Sequence, residues 1–106
     1  MDIQEKIDTI VKNNKVVLMM KGTKQFPQCG FSGRAVELLK ACDCHDFFVV
    51  NILQDPEMRQ GAKEYADWPT FPQLYIHGEF IGGADIMWEM YQAGELQQAL
   101  NAWLFI

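Results

Sequence analysis

The sequence predicts an α/β fold, a mixed four-stranded sheet flanked by helices on both faces. Three observations carry that prediction. Segments with helical apolar spacing alternate with short apolar runs along the chain. The first two runs are separated by a helical segment, which implies a parallel pair with a right-handed crossover. The last two are separated by a tight turn, which implies an antiparallel hairpin. The chain has 106 residues, which suit one domain spanning 1–106 and leave little room for a second. Apolar residues make up 49% of it, enough for a core without disulfide or metal staples.

Each element has a local reason. Ile3, Ile7, Ile10 and Val11 recur at helical spacing, so residues 2–13 form an amphipathic first helix that Asn13 and Asn14 stop. Val16 to Met20 is too short for a helix and is a buried strand. Residues 21–28, KGTKQFPQ, form a loop. A helical pattern returns from Cys29 to about Leu39, with Phe31, Ala35, Leu38 and Leu39 on or near one face. Phe47 to Ile52 is the second strand, rich in β-branched and aromatic residues. Asp55-Pro56-Glu57 opens a helix with an N-cap, a first-turn proline and an acid, and that helix runs to about Tyr65. Gln73 to Ile76 and Phe80-Ile81 are the third and fourth strands, joined by the turn His77-Gly78-Glu79. Gly82-Gly83 break the last strand, Asp85 caps a helix reaching Gln92, Gly94 ends that helix, and Glu95 to Leu104 forms another. Thioredoxin-type folds have this order of elements.

Charge and cysteine usage narrow the function. The net charge of −5 repels a phosphate backbone, so nucleic acid is not the expected partner. No apolar stretch approaches the length of a membrane span, so no membrane is expected either. The opening MDIQEKIDTI is amphipathic and charged, unlike a signal peptide. Three cysteines, an odd number, do not suit a secreted disulfide framework. They suit a reducing compartment, and the expected location is cytoplasmic.

Cys29 carries the chemistry. It stands between a loop and the first residues of a helix, where free N–H groups and the positive dipole end favour a thiolate. Lys21, at the end of the preceding strand, adds positive charge. The residues after it are Gly30-Phe31-Ser32, so serine stands where a dithiol redox motif has its second cysteine. Cys42 and Cys44 fall near the far end of the same helix. At about 1.5 Å rise per residue they lie on the order of 20 Å from Cys29. A disulfide needs α-carbons within about 7 Å, so neither is a resolving partner for Cys29.

Lys21-Gly22-Thr23, Pro27-Gln28-Cys29-Gly30-Phe31-Ser32, Trp68-Pro69-Thr70-Phe71-Pro72-Gln73 and Gly82-Gly83-Ala84-Asp85-Ile86 lie in register over nearly the whole chain. Together they resemble the monothiol glutaredoxins with the CGFS motif, in the short single-domain form of the bacterial representatives. The resemblance implies a glutathione site. Lys21 and Arg59 are candidates for the glycine carboxylate of glutathione. Thr70-Phe71-Pro72 would include a cis proline, with the Phe71 backbone pairing the cysteine of glutathione as an added strand. Gly83 lets a ligand approach, the N–H groups of Ala84 and Asp85 would hold the γ-glutamyl carboxylate, and the Asp85 side chain the amine. Relatives usually carry Cys or Ser where this chain has Ala84. The change removes a side-chain donor and weakens any internal disulfide with Cys29, but spares the backbone contacts.

A [2Fe–2S] cluster takes four thiolate-type ligands. One chain offers Cys29 and a bound glutathione offers a second, so the expected cluster form is a homodimer and the apo-protein a monomer. The resemblance implies cluster transfer to apo iron–sulfur recipient proteins and association with BolA-type partners. Two other readings stand beside it. One is a glutathione-dependent thiol oxidoreductase acting through Cys29 alone, against which the long 21–28 loop counts. The other is a regulatory binding module. Cys42, Cys44 and His45 lack the fourth ligand of a closed zinc site and are expected to be an ordinary helix end. His77 is expected in solvent, and Met87, Trp88, Met90 and Tyr91 in the core. The apolar tail Trp103-Leu104-Phe105-Ile106 is a docked end, a contact surface or an artificial boundary of the sequence.

Overall fold

The computed structural model describes residues 1–102. The tail Trp103–Ile106 and the last residues expected in the final helix lie outside that range. The elements are α1 (Ile3–Asn13), β1 (Val16–Met20), α2 (Gly30–Ala41), β2 (Phe48–Asn51), α3 (Pro56–Ala66), β3 (Gln73–Ile76), β4 (Glu79–Gly82), α4 (Ala84–Gln92) and α5 (Glu95–Asn101), with a 3₁₀ turn at Ile52–Gln54. The sheet order is β2-β1-β3-β4. β1 is parallel to β2 and antiparallel to β3, and β3 is antiparallel to β4. This is the mixed sheet of the thioredoxin-like class that the element order predicts.

Every residue of β1 is buried, because the strand has a helical layer above and below it. Its alternate side chains feed two cores. Leu18 and Met20 join Leu74 and Ile76 of β3 under α2, α4 and α5, through Val36, Leu39, Met87, Leu96 and Leu100. Val17 and Met19 join Tyr75 under α1 and α3, through Ile7, Val11, Met58 and Ala62. Truncating a fully buried residue such as Leu18 to alanine costs about 2–5 kcal/mol. The two helices of the second layer touch at Gly61, where a Cβ would stand 2.7 Å from Ile3 Cγ1. Tyr65 of α3 also donates to Asp8 of α1 at 2.7 Å.

Several boundaries differ from the sequence expectation for physical reasons. The second strand ends at Asn51, whose side-chain oxygen accepts from the Leu53 N–H at 3.1 Å and turns the chain into the 3₁₀ segment. The hairpin turn is the two residues His77-Gly78, both at positive φ (54° and 85°), as a type I′ connection requires, so Glu79 belongs to β4. Phe31 points away from the core and is 61% exposed, whereas Ala35, Leu38 and Leu39 are buried as their spacing indicates. Met87 is buried, but Tyr91 is exposed and stacks on Trp88 with ring centroids 6.1 Å apart. No helix among the described residues is long and apolar enough to cross a membrane.

Candidate functional site around Cys29

Cys29 is the N-cap of α2. Its backbone is extended, and its Sγ accepts from the Ser32 N–H at 3.4 Å, as a capping oxygen would. The Ser32 Oγ lies 3.6 Å from the same sulfur. Ser32 is wholly buried, and its Oγ accepts from the Lys21 N–H at 3.1 Å, just beyond β1. Burial is the largest single influence on the thiol and raises its pKa. The Ser32 N–H and hydroxyl, the Phe31 N–H and the charge of Lys21 oppose it, and together they hold Cys29 below the ordinary cysteine range.

A cavity of about 650 Å³ opens beside this sulfur. It is lined by Lys21, by Arg59 of α3, by Thr70, Phe71 and Pro72 ahead of β3, and by Gly83, Ala84 and Asp85 at the start of α4. Every site residue singled out from the sequence therefore meets in one cleft. The Phe71–Pro72 peptide bond is cis. Asp85 differs from expectation in one respect. The N-cap of α4 is Gly83, which makes no side-chain cap, and Asp85 sits inside the first turn with an exposed carboxylate. The early N–H groups of α4, including those of Ala84 and Asp85, thus have neither a helical partner nor a capping side chain. A Cβ at position 83 would approach Pro72 O to 3.3 Å and Trp68 Nε1 to 3.4 Å, so a glycine is what lets these two walls close on each other.

Lys63, Phe31, Trp68, Pro69 and Ile86 also line the cavity and were not among the site residues expected from sequence. Lys63 had a signal: it stands four residues after Arg59, on the same helical face. Lys21, Arg59 and Lys63 make no ion pair among the described residues. They give the cleft a positive bias over Asp85, inside a chain of net charge −5. The Trp68–Thr70 wall is held from below. Gln73 is fully buried, and its Nε2 donates to Trp68 O at 3.1 Å and Thr70 O at 3.4 Å, while its Oε1 accepts from the Tyr75 hydroxyl at 3.1 Å. Asp67, in the left-handed region, ends α3 and turns the chain toward Trp68, whose N–H returns to Lys63 O at 3.0 Å.

The 21–28 loop is a narrow self-braced turn. Gln28 N–H donates to Lys21 O at 2.8 Å, Thr23 N–H to Phe26 O at 3.2 Å, and Gly22 N–H to Asn51 Oδ1 at 3.0 Å. Phe26 near its tip is 73% exposed.

Residues 16–81 match the glutaredoxin family. Over 100 residues the chain is 51% identical to an uncharacterized monothiol glutaredoxin, ycf64-like, of Synechocystis sp., covering 94% of this chain and 92% of that protein. It is 51% identical over 97 residues to glutaredoxin 4 of Escherichia coli (strain K12), covering 92% of this chain and 84% of that one. The chain belongs to the monothiol glutaredoxin family. The solution structure of reduced apo GrxS14 from poplar is similar to this glutaredoxin throughout, with a TM-score of 0.84, 52% identity, and coverage of 98% of this chain and 94% of that one.

The other two thiols of this glutaredoxin lie at the opposite end of α2. Cys42 is its C-cap and is buried, with its N–H turned onto the carbonyls of the last turn. Cys44 follows, half-buried beside a second cavity of about 600 Å³. Burial raises the pKa of Cys42. Burial does the same to Cys44, with Cys42, Asp46 and Asp43 adding to the rise and Lys24 opposing it. All three cysteines are free thiols. No group of three metal-ligating side chains occurs among the described residues.

Proposed function

We propose that this glutaredoxin binds glutathione in the Cys29 cleft and carries a [2Fe–2S] cluster as cargo for recipient proteins, two chains and two glutathiones sharing the cluster. The observation that carries the reading is the convergence at one cleft of a half-buried thiol held below its ordinary pKa, three cations that make no ion pair among the described residues, and a helix N-terminus without a side-chain cap. That donor set suits glutathione, which brings two carboxylates, an amine and a thiol. Lys21, Arg59 and Lys63 would hold the glycine carboxylate end. The N–H groups of Ala84 and Asp85 would hold the γ-glutamyl carboxylate, and the Asp85 carboxylate the amine. Thr70, Phe71 and Pro72 would form the wall along which the tripeptide backbone lies, with Gly83 admitting it closely.

The chain brings one thiol to the cleft, and a cluster needs four such ligands. A second chain and two glutathiones complete the set, and a ligand borrowed from a small molecule exchanges readily, which suits delivery. A BolA-type protein is the expected alternative to the second chain. An odd number of cysteines suits a reducing compartment, and the location we propose is the cytoplasm. Anaerobic reconstitution with iron, sulfide and glutathione tests the proposal. The expected product is a coloured dimer by absorbance and sedimentation, which omission of glutathione prevents. A colourless monomer under both conditions would sink it.

The lowered thiol pKa of Cys29 favours a second reading, deglutathionylation. The Cys29 thiolate would take the glutathionyl sulfur from a protein–glutathione mixed disulfide and release the protein thiol. A second glutathione would then attack the Cys29 adduct, leaving oxidised glutathione. Rapid turnover of a glutathionylated peptide by the cluster-free monomer is the result that favours it.

A further inference from the structure

An apolar side chain would pack a strand covered on both faces at no polar cost, whereas a buried amide is costly unless its polar atoms find partners. β3 nevertheless carries Gln73, fully buried and paired with Met19 of β1. Its partners fix which way the amide faces. Trp68 O at 3.1 Å and Thr70 O at 3.4 Å can only accept, so the end that meets them is the NH₂ group. The amide oxygen, at the other end, accepts from the buried Tyr75 hydroxyl at 3.1 Å. The Thr70 carbonyl is therefore turned inward, onto Gln73. The Thr70–Phe71 peptide bond is trans, and in a trans peptide the N–H points opposite to the C=O. The Phe71 N–H is thus directed away from Gln73, to the side of the cleft that Phe71 lines. It makes no hydrogen bond among the described residues.

We propose that Gln73 is a positioning residue for ligand binding: by holding the Trp68 and Thr70 carbonyls inward, it presents the Phe71 N–H, already aimed, to a backbone carbonyl of the tripeptide in the cleft. The inference rests on the glutathione reading and adds to it the group that orders one of its donors before the ligand arrives. Gln73 touches no ligand itself. A donor fixed in advance spares the ligand the cost of ordering the 68–71 segment, which is how preorganisation raises affinity. Tyr75 holds the far end of the amide but touches neither carbonyl. Its share in aiming the Phe71 N–H is accordingly smaller.

The test is a titration of the cluster-free protein with reduced glutathione, followed amide by amide in proton–nitrogen correlation NMR spectra. In the unsubstituted protein the Phe71 amide proton moves downfield as it gains an acceptor. Gln73→Met keeps the length of the side chain and removes both of its donors. It binds glutathione about fivefold to tenfold more weakly, the worth of roughly one hydrogen bond, and its Phe71 amide stays near its free position at saturation. Tyr75→Phe removes a buried hydrogen bond from the same network without touching the carbonyls, and its affinity stays within about twofold of the unsubstituted protein. A merely structural role for Gln73 would weaken both variants alike. Equal losses in the two, or unchanged affinity and Phe71 shift in Gln73→Met, overturn the proposal. If Gln73→Met does not fold, the unsubstituted protein decides. Gln73 side-chain NH₂ protons that exchange with solvent more slowly than those of the other glutamines, together with a Phe71 amide that moves on binding, support the proposal. Fast exchange at Gln73 or an unmoved Phe71 amide overturns it. An unsubstituted protein that binds no glutathione removes the glutathione reading, and this proposal with it. One that binds it while Gln73→Met binds it equally removes the role of Gln73 alone.

Discussion

The two ends of α2 hold the same chemical group in opposite conditions. At the N-terminal end Cys29 faces donors from Ser32 and Phe31 and the charge of Lys21, and its thiol ionises more readily than usual. At the C-terminal end Cys42 and Cys44 are covered by apolar neighbours, next to carbonyls and acids, and both ionise less readily than usual. Residue type is constant across the comparison, so reactivity is assigned by the helix end, the local donors and the neighbouring charges. A count of cysteines in this chain says little about its redox chemistry until each has been given an end.

The strongest attempt to break the contrast is to exchange the thiols. Cys29→Ser abolishes cluster loading in the anaerobic reconstitution, while Cys42→Ser combined with Cys44→Ser leaves it intact; equal losses would erase the distinction. Alkylation comes next. At neutral pH Cys29 reacts on the order of tenfold faster than either other cysteine in the folded protein, and the three rates converge in denaturant. Peptide-resolved mass spectrometry reads both conditions.

The sign of the pH dependence sharpens the comparison further. Cys29 has a depressed folded pKa, so its ionisation stabilises the fold above the unfolded value of about 8.5, and that contribution fades as pH falls through the folded pKa. Cys42 and Cys44 have raised folded pKa values. Their contribution is present below about 8.5 and is lost as pH rises toward the folded values. Thermal melts against pH therefore lose a rising slope below about 8.5 in Cys29→Ser and a falling slope above it in Cys42→Ser or Cys44→Ser. The smallest expected effect is that of Lys21→Gln. Removing one partly exposed charge raises the midpoint of Cys29 alkylation by a few tenths of a pH unit, and leaves the other two thiols unmoved.

Much of this was legible in the linear order of residues. The element order and the burial of β1 follow from apolar spacing, and Arg59, Phe71 and Asp85, which the resemblance assigns to one site, line one cleft. What stayed hidden depended on direction. Phe31 fits the apolar face of α2 by spacing, yet the first turn of that helix overhangs the cleft instead of the core. Asp85 has the chemistry of a cap, but Gly83 occupies the cap position because the chain must stay thin against Pro72 and Trp68. Ser32 stands where a dithiol motif has its second cysteine, and only the fold shows that its hydroxyl is buried between the Lys21 N–H, just beyond β1, and the Cys29 sulfur.

Gln73 carries a consequence of its own. An amide sealed in the interior dictates the contour of a recognition surface that it never presents to solvent. Remodelling the selectivity of that surface thus requires compatible changes in the hidden layer.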